Sequence, residues 1–218
     1  KALQKLSSLS IEIIAATHGP VWKRSIEKVV KVYDELSRYS AQRGVVVAYG
    51  SMYGNTASLC EDIACRLRAK GVEKMKIYDL SSADISEVLR DIFLYRGLVV
   101  ASPTYNNELF PLVRELLEKI SERTVKGRLF GFVGSYTWAS AALKRFAEKS
   151  EKCGWEVLPC SVEMKQSSLS LTDEQIDSFV TAFSSACNGE IHILFTLPPL
   201  TKTFLWIMIV VLSIILFG

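Results

Sequence analysis

Residues 45–56 read VVVAYGSMYGNT, an apolar run that leads through a loop of small residues into an amphipathic helix. A buried strand, a Gly/Ser/Thr loop and a helix N-terminus in this order commonly form a phosphate site. The first helical N–H groups there have no intrahelical partner, and the helix dipole is positive at that end. Gly50 and Gly54 allow close approach of the backbone to an anion, and Ser51 and Thr56 add hydroxyl donors. The alternative is an ordinary strand–turn–helix corner rich in small residues.

The loop lacks the features of two well-known nucleotide motifs. No lysine follows the second glycine, so it does not match GxxxxGK[ST] and does not favour a nucleoside triphosphate with Mg²⁺. It also lacks GxGxxG, the dinucleotide fingerprint. A lysine-free loop for one terminal phosphate suits a monophosphate such as flavin mononucleotide (FMN).

The chain has 218 residues, 49% of them hydrophobic and 22% charged, with a net charge of +3. Its central part has nearly equal numbers of basic and acidic residues, so no basic face indicates nucleic acid. The cysteine count is 5, without CxxC or metal-ligand spacing, so we expect packed thiols in a reducing cytoplasm. The chain begins at Lys1 without a signal-peptide pattern, which we interpret as a piece of a longer protein.

Strand and helix patterns alternate five times in the central part of the chain. The spacing predicts strands at 45–49, 74–78, 97–101, 129–134 and 156–161, and helices at 56–70, 83–93, 109–123, 138–153 and 172–187. Upstream, it predicts a strand at 11–15, a turn at 17–20 and a helix from Val21 to Tyr39. Five β–α units predict an α/β fold, a doubly wound five-stranded parallel sheet with helices on both faces. Ligands of such sheets bind beyond the carboxyl ends of the strands.

Two further polar and aromatic segments follow the third and fourth predicted strands. A flavin ring needs flat apolar neighbours and a few polar groups at its edge, which these segments can supply. With the first loop, they predict an FMN site. Its candidate residues are Ser51, Met52, Tyr53, Gly54, Asn55, Thr56, Ser102, Pro103, Thr104, Tyr105, Asn106, Asn107, Ser135, Tyr136, Thr137 and Trp138.

Residues 45–187 resemble a flavodoxin domain, with the phosphate loop at 51–56 and ring-flanking loops at 102–107 and 135–138. The sequence THGPVW at 17–22, joined by one helix to that domain, resembles more narrowly the flavodiiron proteins, also called A-type flavoproteins. So do ASPTYN at 101–106 and GSYTW at 134–138. The resemblance implies that residues 1–44 are the end of a metallo-β-lactamase-like domain with its linker helix, and that 45–188 are the FMN domain.

The flavodiiron resemblance implies a whole protein that passes electrons through FMN to a di-iron site and reduces O₂ or NO. It also implies a redox donor such as rubredoxin or an NAD(P)H-dependent reductase, and a homodimer at full length. His18 resembles the family's last iron ligand, whereas a lone His before Gly-Pro is otherwise a turn residue. The family's other ligands are missing, and one His cannot hold two irons, so we expect this chain to bind flavin and not iron.

Residues 189–218 form a hydrophobic tail that departs from the family pattern. Residues 204–217 carry no charge and would span about 21 Å as a helix, short of a hydrocarbon core of about 30 Å. The tail is either a marginal membrane anchor or a read-through or gene-model error, and we favour the error because no basic cluster flanks it. Membrane contact is expected only through this segment.

Two other functions remain open from the sequence alone. One is a free-standing flavodoxin-like electron carrier, although such carriers are typically acidic and this domain is nearly neutral. The other is a non-redox interaction domain that kept the fold and lost the flavin, against which the intact Ser51, Asn55 and Thr56 argue.

Overall fold

The computed structural model describes residues 9–123 and 125–188, with the backbone alone at Ser168. The tail assigned to residues 189–218 lies outside these ranges. In chain order the elements are β1 (Ile14–Ala15), β2 (Val21–Trp22), α1 (Ile26–Ser37), β3 (Gln42–Tyr49), α2 (Asn55–Ala69), β4 (Met75–Asp79), α3 (Ile85–Leu94), β5 (Tyr95–Tyr105), β6 (Glu108–Leu109), α4 (Pro111–Ser121), β7 (Leu129–Tyr136), α5 (Ala142–Cys153), β8 (Glu156–Val157), β9 (Val162–Lys165), a 3₁₀ turn (Ser168–Ser170) and α6 (Asp173–Asn188).

The main sheet is parallel and has five strand positions, as predicted. Its order is β4–β3–β5–β7, with β8 and β9 both hydrogen-bonded along β7 in the fifth position. Numbered by position along the chain, this order is 2-1-3-4-5, the flavodoxin-like order, in which the strand sequence reverses between the first and third strands. The carboxyl ends of β3, β5 and β7 therefore meet at one edge.

Both faces of the sheet are covered, which is why its strands read as continuous apolar runs. Successive side chains along a strand point to opposite faces, so Val46 and Ala48 enter one core while Val45 and Val47 enter the other. The first core is completed by α3, α4 and α5, and the second by α2 and α6. The two cores hold the strand ends, and hence the loops that follow them, in fixed positions.

The fifth strand is interrupted, and the prediction of one strand over 156–161 was wrong. Leu129 pairs with Glu156 and Val133 with Val162, so β8 and β9 use two more residues than β7 over the same stretch. The four residues 158–161 lie opposite two residues of β7, and Pro159 among them has no N–H to give to the ladder. Pairing then resumes and carries the fifth strand to Lys165.

The N-terminal elements are shorter than the pattern indicated. The predicted strand at 11–15 is only Ile14–Ala15, and the predicted helix from Val21 starts at Ile26. Val21 and Trp22 instead pair antiparallel with β1 across the predicted turn, so neither residue belongs to α1. Val29 is the one buried residue of α1, with 9% of its surface still exposed.

Local signals behaved as expected at several helix ends. Gly71 and Gly154 both have positive φ just after α2 and α5, as C-terminal stops require. Thr172 and Gln175 form a capping box, because the Thr172 amide donates to Gln175 Oε1 at 2.9 Å and the Gln175 amide to Thr172 Oγ1 at 3.3 Å. All five cysteines are free, but Cys65 is exposed, so packing does not explain it. Within the described ranges, no helix is long and apolar enough to cross a bilayer.

Candidate functional site

The first loop has the geometry of an anion site. Gly54 adopts φ +86° immediately before α2, and its amide donates to Ser51 Oγ at 3.1 Å, which closes the loop. The next three amides, at residues 55–57, start the helix and have no intrahelical acceptor. A Cβ built on Gly54 would meet nothing within 4 Å, so this side of the loop is open.

Gly50 has a different role from the one the sequence indicated. Its amide donates to the Ala101 carbonyl at 3.0 Å and so continues the sheet, and a Cβ added to it would collide with the Phe110 ring. The missing side chain therefore allows aromatic packing under the loop, rather than approach of an anion.

The phosphate loop is joined to the end of β7 by two hydroxyls. Thr56 Oγ1 lies 3.0 Å from Ser135 Oγ in a buried contact. Each hydroxyl carries one proton, so the one that accepts in this pair keeps its own proton for another acceptor. Together with the amides at 55–57, this arrangement can bind the oxygens of a phosphate without a cationic side chain.

Residues 102–107 are not the loop that the sequence predicted. β5 continues to Tyr105, and its last two residues pair antiparallel with β6 through a turn at Asn106 and Asn107, which have φ of +51° and +57°. Two positive φ values are the requirement of a type I′ hairpin turn, and Asn tolerates them better than most residues.

Two polar side chains of this hairpin are used internally. The Ser102 hydroxyl is fully buried, donates to the Pro103 carbonyl at 2.9 Å and accepts from the Phe110 amide at 2.9 Å. Thr104 Oγ1 accepts from the amides of Ala141 and Ala142 at 3.2 and 3.1 Å. Thr104 thus caps the start of α5, whereas the sequence placed that start at Trp138.

Three exposed aromatic residues lie on the loops at the carboxyl edge of the sheet. The exposed fractions are 86% for Tyr53, 45% for Tyr105 and 94% for Trp138. Tyr105 packs edge-on against Phe110 with ring centroids 6.1 Å apart. Exposed aromatic rings lose more water-accessible apolar area on contact with a flat ligand than buried ones do, so these side chains can flank a planar ring.

The loops enclose an open cleft of about 90 Å³. Ten predicted site residues line it: Ser51, Met52, Tyr53, Asn55, Thr56, Pro103, Thr104, Ser135, Tyr136 and Thr137. The other six candidates do not line it: Gly54, Ser102, Tyr105, Asn106, Asn107 and Trp138. A larger cavity of about 330 Å³ lies between β9 and α6 and contains none of the predicted residues.

Sequence reasoning missed one lining residue, Gln166. It follows β9, the part of the fifth strand that the strand prediction did not reach, and the Asn55 side-chain amide donates to its carbonyl at 2.9 Å. The alternation of apolar and polar residues resumes after Pro159, at Val162 and Met164. Interpreting it as a continuation of the fifth strand would have predicted that this strand ends beside the site.

Two titratable groups behind the first loop, Tyr49 and Cys60, remain neutral near pH 7. Burial raises the pKa of Tyr49 at the end of β3, and the negative charge of Asp79 adds to the effect. Burial also raises the pKa of the Cys60 thiol on α2. Neither group offers a charge to a ligand, which leaves amides and hydroxyls as the binding groups.

His18 lies on the exposed bend between β1 and β2. In the part of the chain that the structure describes, no three His, Cys, Asp or Glu residues are grouped so that they could hold a metal ion. The role of His18 as an iron ligand stays a prediction about a longer protein.

The family model for flavodoxins matches residues 47–179. Since this match, the strand order and the cleft at the carboxyl edge agree, the chain belongs to the flavodoxin family. The chain is also similar to proteins of the flavodiiron type.

A nitric oxide reductase from Moorella thermoacetica is 28% identical over 156 residues, which are 72% of this chain and 39% of the relative. The structure of a rubredoxin oxygen:oxidoreductase from Desulfovibrio gigas has a TM-score of 0.78 at 23% identity and is matched over 88% of this chain and 48% of its own. A flavo di-iron protein variant from Thermotoga maritima has a TM-score of 0.72 at 25% identity, over 85% and 46%. The chain spans less than half the length of each of these relatives.

Proposed function

We propose that this chain binds one FMN in the cleft and serves as the electron-transfer domain of a flavodiiron oxygen or nitric oxide reductase. The buried contact between Thr56 and Ser135 carries the proposal, because it joins the phosphate loop to the β7 end and leaves a hydroxyl proton for a ligand. A bound flavin supplies reversible uptake of one or two electrons.

Residues of the cleft and of the loops beside it divide between the two ends of FMN. The amides at 55–57, with the hydroxyls of Ser51, Thr56 and Ser135, would hold the phosphate. The exposed rings of Tyr53, Tyr105 and Trp138 would cover the flavin ring and keep water from it. We assign the ring to this side because the rings of Tyr53 and Trp138 are almost fully exposed and that of Tyr105 is about half exposed.

The remaining parts of the function belong to a longer protein. The names of the relatives, a nitric oxide reductase and a rubredoxin oxygen:oxidoreductase, support an electron path from a donor such as rubredoxin or an NAD(P)H-dependent reductase to a di-iron site. We propose a homodimer for that longer protein, and a cytoplasmic location because the described cysteines are free thiols.

A titration with FMN and with riboflavin tests the proposal. The purified chain should show a flavin absorption spectrum or regain one with FMN at one equivalent per chain. Riboflavin lacks the phosphate, and a hydrogen bond to a charged group contributes about 1.5–3 kcal/mol, so FMN should bind at least about tenfold more tightly. A colourless protein that cannot be reconstituted would contradict FMN binding, and equal affinities would contradict the phosphate site.

A further inference from the structure

Gln166, which borders the cleft, has a backbone conformation that is unusual for its residue type. Its φ is +65°, in the left-handed region that non-glycine residues seldom occupy. The Ser167 amide donates to the Lys165 carbonyl at 2.8 Å across it. A hydrogen bond between residues i and i+2 around a positive φ is the pattern of the rare, strained γ-turn.

This turn connects two walls of the cleft. The Gln166 amide donates to the Tyr136 carbonyl at 2.8 Å, at the end of β7. The Gln166 carbonyl accepts from Asn55 Nδ2 at 2.9 Å, at the first residue of α2. A single residue therefore ties the helix whose amides face the phosphate to the strand that presents Ser135 and Tyr136.

The turn itself is supported from outside the cleft. Ser170 Oγ donates to the Ser167 carbonyl at 2.8 Å and accepts from the Lys165 amide at 2.9 Å. Strained backbone conformations persist where the surroundings over-determine them, and they occur often at ligand sites. Here the left-handed φ of residue 166 directs the Ser167 amide to the Lys165 carbonyl and the Gln166 carbonyl to Asn55.

We infer that Gln166 is a positioning residue of the flavin site, which acts on Asn55 through its left-handed backbone rather than through its side chain. The inference rests on the proposed function. If residue 166 relaxes to an ordinary φ in the free protein, its carbonyl turns away from Asn55, and FMN binding must restore that contact. The apparent dissociation constant of FMN then equals the intrinsic constant divided by the fraction of chains in the left-handed form.

Three substitutions separate the backbone from the side chain. Gln166→Gly and Gln166→Asn permit a positive φ, whereas Gln166→Val opposes it because the residue is β-branched. Gly71→Val is the matched control, since Gly71 has φ +86° at the other end of α2 and a Cβ there meets nothing within 4 Å. FMN affinity, the flavin absorption maximum and the midpoint potential are measured at a temperature where circular dichroism shows every variant folded.

We expect Gln166→Val to weaken FMN about tenfold and to shift the absorption maximum and the potential. Gln166→Gly and Gln166→Asn should stay near wild type in all three readouts. Gly71→Val should lower the melting temperature and leave FMN affinity unchanged. Wild-type affinity in Gln166→Val, or equal loss in all three Gln166 variants, would overturn the inference while FMN binding itself stands. A wild-type chain that binds no FMN would overturn the proposed function as well.

Discussion

The side-chain oxygens of Thr56 and Ser135 lie 3.0 Å apart in the interior, although 79 residues separate them in the chain. Thr56 is on the first turn of α2, and Ser135 is next to last on β7. The two elements are brought together because β3 and β7 flank β5 in a parallel sheet, so their carboxyl ends meet at one edge. A phosphate bound at this contact would be held by both the first and the fourth strand.

Thr56→Ala should weaken FMN binding roughly tenfold or more, because a hydrogen bond to a charged phosphate contributes about 1.5–3 kcal/mol. Ser135→Ala should have a similar effect. The double variant should lose less binding free energy than the sum of the two single losses, because each single change already breaks the pair. Fluorescence titration of apoprotein with FMN measures all three. Thr181→Ala on the exposed face of α6 is the control. Strictly additive losses would show that the two hydroxyls act independently.

The buried guanidinium of Arg128 should be a major source of stability at the opposite edge of the sheet. Its nitrogens donate to the backbone carbonyls of Tyr39, Ile92, Phe93 and Lys126. Arg128→Met removes these donors, and we expect a loss of about 2–3 kcal/mol in the free energy of unfolding by urea. FMN affinity should not change, because Arg128 precedes the amino end of β7. Arg43→Met, at an exposed position, should cost little, and an equal loss there would contradict this role of Arg128.

Asp91 should make stability depend on pH in the acid range. Burial alone would raise the pKa of this carboxyl, but hydrogen bonds from Arg90 and Tyr78 outweigh it and hold the pKa below the usual 3.8. A carboxyl group whose pKa is lower in the folded state than in the unfolded state stabilises the fold at pH values above its unfolded pKa. This contribution is lost as the pH falls through the folded pKa.

Wild type should therefore exceed Asp91→Asn in free energy of unfolding by a constant amount near neutral pH. The difference should shrink below about pH 4. Urea unfolding at several pH values measures it, with the exposed Glu12→Gln as control. A difference that grows as the pH falls would have the wrong sign for a lowered pKa.

The purified chain should contain no stoichiometric iron, and His18→Ala should not change its metal content or its FMN affinity. The reason is chemical, since a single imidazole cannot supply the ligands of two irons. Elemental analysis after expression in iron-supplemented medium provides the measurement. One or two irons per wild-type chain, lost on His18→Ala, would show that other residues of this chain complete the centre.

Several features of this protein were determined by short stretches of its sequence. The loop at 50–56, the stops at Gly71 and Gly154 and the capping box at Thr172 rest on backbone groups and on residues within a few positions of one another. Such signals are readable because the interacting groups are neighbours in the chain. The continuous apolar runs of the strands likewise required a sheet covered on both faces, and with it the parallel α/β fold.

Other features depend on residues that are distant in the chain, and only the tertiary structure decided them. Pairing with β7 determines where the fifth strand breaks and resumes, and so brings Gln166 to the cleft. Contacts across the fold turn Ser102 and Thr104 into internal hydrogen-bond partners and place Phe110 against Gly50. The sequence determined which groups could bind a flavin. Packing decided which of them are free to do so, because a hydroxyl already engaged by a neighbouring element has less to offer a ligand.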